Sequence, residues 1–195
     1  MLIRENIYGP DALENEQSFE QLIKENEPKI INLIYGMTGD YHIAQDLAQE
    51  TFIKAFQSRQ SFNGQSKIST WLYRIAVNTT IDYQRKSSVR KENPAEEIES
   101  TTTETQDPDK TCQKTAMRKM LFRAISQLPE QQREIYTLRE INGCSTKEVA
   151  EVLNISIDLA KWRLHKARTM IRKQLAKGNI YENMGSFKIS PTGIE

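Results

Sequence analysis

The stretch STKEVAEVLNISIDLAKWRLHKAR, residues 145–168, decides the fold. It opens on Ser145-Thr-Lys-Glu148, the S-x-x-E signature of a capping box, in which two orphan donors at a helix start are satisfied reciprocally. Val149, Ala150, Val152 and Leu153 supply the core face of that short helix. Asn154-Ile155-Ser156 makes a tight turn, with Ser156 as the N-cap of a longer helix from about Ile157 to Ala176 that Gly178 ends. A short capped helix, a three-residue turn and a longer helix read as a helix-turn-helix, whose second helix lies in the major groove of DNA. The charge of the second helix agrees: from Leu159 to Lys177 it carries seven lysines and arginines and no acid. Lys161, Trp162, Arg163, His165 and Lys166 cluster in its first half, where basic side chains reach guanine acceptors or phosphates. A merely solvated basic face is the competing reading, and the coincidence of cap, turn and one-signed helix weighs against it. Trp162 either packs on the preceding helix or touches sugar and base.

Working outward, the residues before this unit are also helical. Met117, Met120, Leu121, Ala124, Ile125 and Leu128 form one apolar stripe. Pro129 opens the next helix, which carries Ile135, Tyr136, Leu138 and Ile141 and stops at Gly143. Upstream the composition changes: residues 92–109, ENPAEEIESTTTETQDPD, hold seven acids, two prolines and no Lys or Arg. Such a run cannot bury enough apolar surface to offset its ordering entropy, so it reads as a linker between two domains.

The first half has three helical segments. Phe19, Leu22 and Ile23, then Ile30, Ile31, Leu33, Ile34 and Met37, keep helical spacing with an expected break at Pro28. Gly39-Asp40 stops one helix and caps the next. From Tyr41 to Ser58, Ile43, Leu47, Thr51 and Ala55 adjoin Ala44, Ala48, Phe52 and Phe56 as one core-facing stripe. Gln45, Asp46, Gln49 and Glu50 take the opposite face, with Ile53 beside them. A polar loop, residues 61–66, leads to a helix from about Ser69 to Lys86. Its buried face is Leu72, Ile75, Ala76, Thr79 and Tyr83; its other face is Trp71, Arg74, Asn78, Asp82 and Arg85.

The chain has 195 residues and a net charge of +1. That near-neutrality hides segregation: from Lys67 to Lys91 there are six basic residues and one acid, so the chain carries two basic regions either side of an acidic run. Cys112 and Cys144 belong to no CxxC pair and have no His at ligand spacing, so two reduced thiols and no metal site are expected. The polar N-terminal stretch is not a signal peptide, and no apolar run is long enough to span a membrane. Paired carboxylates, a nucleophile–base pair and a Gly-rich phosphate loop are all missing, so no catalytic residue, cofactor or small-molecule substrate is expected.

Longer strings narrow the class. Asp46-Leu-Ala-Gln-Glu-Thr-Phe-Ile-Lys-Ala-Phe56, Phe62-Asn-Gly64 and Ser69-Thr-Trp-Leu-Tyr-Arg-Ile-Ala-Val-Asn78 resemble region 2 of RNA polymerase sigma factors. Leu128-Pro-Glu-Gln-Gln-Arg133, Leu138-Arg-Glu-Ile-Asn-Gly143 and His165-Lys-Ala-Arg168 resemble region 4. Both in this order, with no room for further regions, resemble the extracytoplasmic-function group over about Phe19 to Leu175.

The resemblance implies an all-α fold of two small helical domains, a region 2 bundle and a region 4 helix-turn-helix. The expected boundaries are 14–91 for region 2, 92–111 for the linker, 112–178 for region 4 and 179–195 for a tail. It implies that Gln45, Asp46, Gln49, Glu50 and Ile53 dock on the coiled coil of the largest subunit of core RNA polymerase, and that region 4 meets the flap. Phe62, Asn63, Gly64, Lys67, Trp71, Arg74 and Asn78 would melt and read the −10 element, capturing a flipped base. Asn78 either reads a base edge or caps the loop, and Trp71 is either a platform or a half-buried support. Ser156, Lys161, Trp162, Arg163, His165 and Lys166 would read the −35 duplex; a small polar residue is usual in the family where Trp162 stands. The acidic run either threads a basic polymerase channel or is a plain spacer. The implied partners are core polymerase, promoter DNA and a membrane-anchored anti-sigma factor, with the chain in the cytoplasm. A stand-alone helix-turn-helix regulator is the alternative.

Overall fold

The computed structural model describes residues 16–92 and 120–177. The linker reading, Met117, Cys112 and the tail from Asn179 lie outside the described residues. Seven helices follow in order: α1 (Glu16–Thr38), α2 (Tyr41–Ser58), α3 (Ile68–Glu92), α4 (residues 120–126), α5 (Glu130–Tyr136), α6 (Thr146–Val152) and α7 (Ile157–Lys177). A 3-10 turn, Arg59–Ser61, follows α2, and α5 runs on into a π-helical segment, Thr137–Ile141.

The caps lie where the sequence puts them. Gly39 takes φ +76°, and the Asp40 carboxylate accepts from the backbone N–H of His42 and Ile43, starting α2. The Ser145–Glu148 capping box is complete, and Ser156 Oγ accepts from Leu159 N at 3.2 Å to start α7. Pro129 stands at the N-cap of α5, one residue earlier than expected.

Other expectations are corrected. Pro28 lies inside α1 without ending it. Phe19 and Leu22 before the proline bury into the same core as Ile30, Leu33, Ile34 and Met37 after it. That shared burial keeps both halves of the helix in line despite the lost N–H. Met120 is exposed, outside the stripe assigned to it, and Phe56 is partly exposed because its ring meets Phe19 and the Arg59 guanidinium at the bundle rim. The helix expected to stop cleanly at Gly143 passes into the wider π segment first, with Asn142 N donating to Thr137 O at 3.0 Å.

α1, α2 and α3 pack as a three-helix bundle, and α5, α6 and α7 surround a smaller core of Ile135, Leu138, Val149, Val152, Leu164 and Ile171. The two units dock directly. α3 lies between α1/α2 on one side and α6 on the other, so Tyr73, Val77 and Thr80 are buried as well as the expected Leu72, Ala76 and Thr79. Thr137, at the head of the π segment, fills a notch over Gly36 of α1, where even a Cβ would come within 2.5 Å of its methyl. Beside it, the Tyr35 and Phe122 rings pack at a 45° tilt, their centroids 4.5 Å apart. Arg133 donates to the carbonyls of Met37 (2.8 Å) and Leu128 (3.0 Å), so a residue of α5 satisfies an orphan carbonyl in the last turn of α1. Cys144 is a free, buried thiol, its pKa pushed up to about 11 by that burial. No described helix is long and apolar enough to cross a membrane.

Candidate nucleic-acid and polymerase interfaces

α2 sorts its residues as its periodicity demands. Ala44, Leu47, Ala48, Thr51, Phe52 and Ala55 are buried, which leaves Gln45, Asp46, Gln49 and Glu50 exposed along the opposite face. Ile53, at 58% exposure, is an apolar anchor beside that polar row. An isolated large aliphatic among charges suits a protein contact, since desolvating it is favourable and the rim stays hydrated. Lys54 ties the row to the bundle, pairing with Glu50 at 2.8 Å and donating to Thr79 Oγ1 at 3.1 Å.

The loop between α2 and α3 divides into a buried and an open part. Phe62 is 6% exposed and packs on Trp71 with ring centroids 5.4 Å apart. Its ring is therefore a wedge under the loop and is unavailable as a stacking platform for a base. Trp71 is half-buried against it, as a support. Asn63 and Gly64 stay exposed, Gly64 at φ +70°, and Asn63 Oδ1 accepts from Gln65 N at 3.2 Å. Arg74 and Asn78 project from α3 four residues apart, and Lys67, exposed, stands immediately before its first residue.

On α7, Ala160, Leu164, Ala167 and Ile171 are buried, and Lys161, Trp162, His165 and Lys166 form one exposed face. Trp162 is 57% exposed, with Lys166 Nζ 5.0 Å from its ring centre. It does not pack on the preceding helix. Arg163 departs from the expected set: one position round the helix, it is half-buried and lines a cleft with Arg74, Asn78, Glu134 and Asn154. Burial in this cleft pushes the pKa of the Glu134 carboxyl up to about 7, with Glu130 adding and Arg163 and Arg133 opposing.

Two ion pairs were missed by sequence reasoning, which read Glu148 only as a capping residue. Glu148 Oε1 lies 2.7 Å from Lys67 Nζ, and Glu151 lies 3.7 Å from Arg74, whose Nη2 also donates to Glu151 O at 3.1 Å. The pKa of the Glu148 carboxyl is held down to about 2 by Lys67 and by the Ser145 N–H and hydroxyl. The legible signal was a pair of acids at i, i+3 on α6 and a pair of cations seven apart, one just before α3 and one on it. Only docking shows that the two faces meet.

A three-helix bundle with an exposed polar face, joined to a helix-turn-helix with a basic second helix, defines a two-part DNA-binding protein of the transcription machinery. Residues 22–90 match the Sigma-70 region 2 family and residues 118–171 the Sigma-70, region 4 family. The chain is 32% identical over 174 residues to the ECF RNA polymerase sigma factor SigW of Bacillus subtilis, covering 83% of this chain and 90% of that one. It is 34% identical over 167 residues to the ECF RNA polymerase sigma-E factor of Escherichia coli, covering 80% and 86%. The fold is shared with the sigma factor RpoE of Bartonella quintana, solved in complex with the anti-sigma factor NepR, at TM-score 0.69 and 23% identity over 82% of this chain and 98% of that one. This chain belongs to the extracytoplasmic-function family of RNA polymerase sigma factors.

Proposed function

We propose that this chain joins core RNA polymerase and directs it to promoters, residues 14–91 melting and reading the −10 element and residues 112–178 reading the −35 duplex. The observation that carries the docking part is Ile53, an exposed aliphatic side chain beside the row Gln45, Asp46, Gln49 and Glu50. That face is the polymerase contact, set against the coiled coil of the largest subunit; region 4 meets the flap. Asn63, Gly64, Lys67, Arg74 and Asn78 handle the melted strand, with Phe62 and Trp71 shaping the loop from below. Ser156, Lys161, Trp162, His165 and Lys166 face the −35 groove, and Trp162 offers apolar surface where a thymine methyl or sugar would lie.

Polymerase performs the chemistry and the chain none, and it works in the cytoplasm, where polymerase is. RpoE was solved with the anti-sigma factor NepR, and CnrH with the cytosolic domain of CnrY. We infer a comparable protein partner here, an anti-sigma factor that holds the chain inactive, at the membrane if that partner is anchored there. Run-off transcription with purified core polymerase on a randomised promoter library tests the reading. The expected result is transcripts that start downstream of a shared pair of elements. Starts no different from those of core polymerase alone would reject it.

A further inference from the structure

Trp162 is the only Trp, Tyr or Phe in α7, and the fold leaves it out of the core. Ala160, Leu164, Ala167 and Ile171 turn inward from the same helix, while the indole stays 57% exposed. Its neighbours on the helix surface are polar: Asp158 one turn before it, His165 and Lys166 one turn after it, all exposed. Lys166 Nζ lies over the ring, 5.0 Å from its centre. That ammonium is drawn to one face of the ring and restrains it, and the ring edge and the opposite face stay open. The side chain therefore stabilises nothing in its own fold and has apolar surface to offer a partner.

Position fixes what that surface meets. Trp162 is the sixth residue of α7, within its first two turns, the part of a recognition helix that reaches base edges. Lys161 and Lys166 flank it, one on each side of the exposed face. Cations so placed hold the helix to the phosphates and leave the ring between them directed at the groove floor.

The chemistry of the indole then selects the base. It carries one donor, Nε1–H, and no acceptor, on an otherwise apolar ring. In the major groove thymine presents an acceptor, O4, beside its C5-methyl group. Cytosine presents an amino donor in the same place and no methyl, and neither purine has a methyl to offer. Thymine alone matches both halves of the indole, and cytosine sets a donor against a donor.

We infer that Trp162 is a specificity-determining residue of the −35 contact, its indole reading the methyl and O4 of one thymine while Lys166 restrains the ring.

The inference deepens the −35 reading of α7 and rests on it, and the test separates the two. Holoenzyme is assembled from the full chain and core polymerase, and its binding to labelled promoter fragments recovered from the randomised library is followed by fluorescence anisotropy. Each thymine of the −35 element, on either strand, is replaced in turn by deoxyuridine, which removes only the methyl. Wild type should lose about fourfold at one thymine, the value of one buried methyl-sized group. Trp162→Ser should bind more weakly overall and show no loss there; the exposed position leaves the fold unchanged, which circular dichroism checks. Cytosine at the same position should cost wild type about tenfold or more. Trp162→Phe, which keeps a ring without the N–H, should retain the deoxyuridine loss and show a smaller penalty for cytosine. A −35 element without a T·A pair, a wild type indifferent to every deoxyuridine, or a Trp162→Ser variant with the same loss at the same position overturns the thymine contact. If scrambling the whole element leaves wild-type binding unaltered, the −35 reading itself fails and the thymine contact with it.

Discussion

Two glutamates show how burial and charge act in opposite directions on one side-chain type. Glu134 keeps its proton in the fold to about pH 7 because burial disfavours its charged form, whereas an unfolded glutamate loses it near 4.5. Between those values the folded chain binds more protons than the unfolded one, so stability falls as pH rises through that window. The expected cost is at most about 3.5 kcal/mol, from about 1.4 kcal/mol per pH unit. Glu134→Gln should flatten the decline in melting temperature between about pH 4.5 and 7; an unchanged decline would assign it to other groups. Glu148 behaves in reverse: its contribution is present above pH 4.5 and is lost as pH falls towards 2. On α7, Lys166→Ala should weaken −35 duplex binding and lower the salt slope by about 0.9, the value of one phosphate left without its cation. Arg163→Ala should leave that slope closer to wild type than Lys166→Ala does, because Arg163 lies in the cleft and off the exposed face.

Among the helices, the short α6 depends most on its ends. It has seven residues, too few to be stable without caps and tertiary support. Ser145→Ala should cost about 1 kcal/mol and lower the melting temperature by about 2–4 °C, measurable by thermal circular dichroism. α2 makes the opposite case, with its functional side chains on the solvent face. Asp46→Arg should abolish co-purification with core polymerase while the melting temperature stays within about 1–2 °C of wild type, as for other exposed substitutions. A retained complex would remove the α2 face from the polymerase interface. The helix starts of α2, α6 and α7 were legible because capping is local chemistry: a carboxylate or hydroxyl reaches N–H groups two or three residues away. Pro28 was misread because its local penalty is outweighed by burial on both sides of it, which depends on partners distant in the sequence.

At the scale of the whole molecule, association between the halves decides what the surfaces are free to do. The direct docking of the two units predicts that promoter binding by the free chain is weaker than binding in the presence of core polymerase. A gel shift on one promoter fragment, with and without core, measures the difference. Equal affinity would favour a stand-alone DNA-binding protein. The class, the two basic regions and the polar row on α2 were determined by the sequence alone, since residue spacing, caps and charge runs are properties of short segments. The second buried face of α3, the turning of Arg163 into the cleft, the burial of the Phe62 ring and the pairing of Lys67 with Glu148 were decided only by the tertiary structure. Each needs two segments brought together across the fold, here up to 89 positions apart at Arg163 and Arg74, and no local pattern encodes which exposed face of one helix will cover that of another.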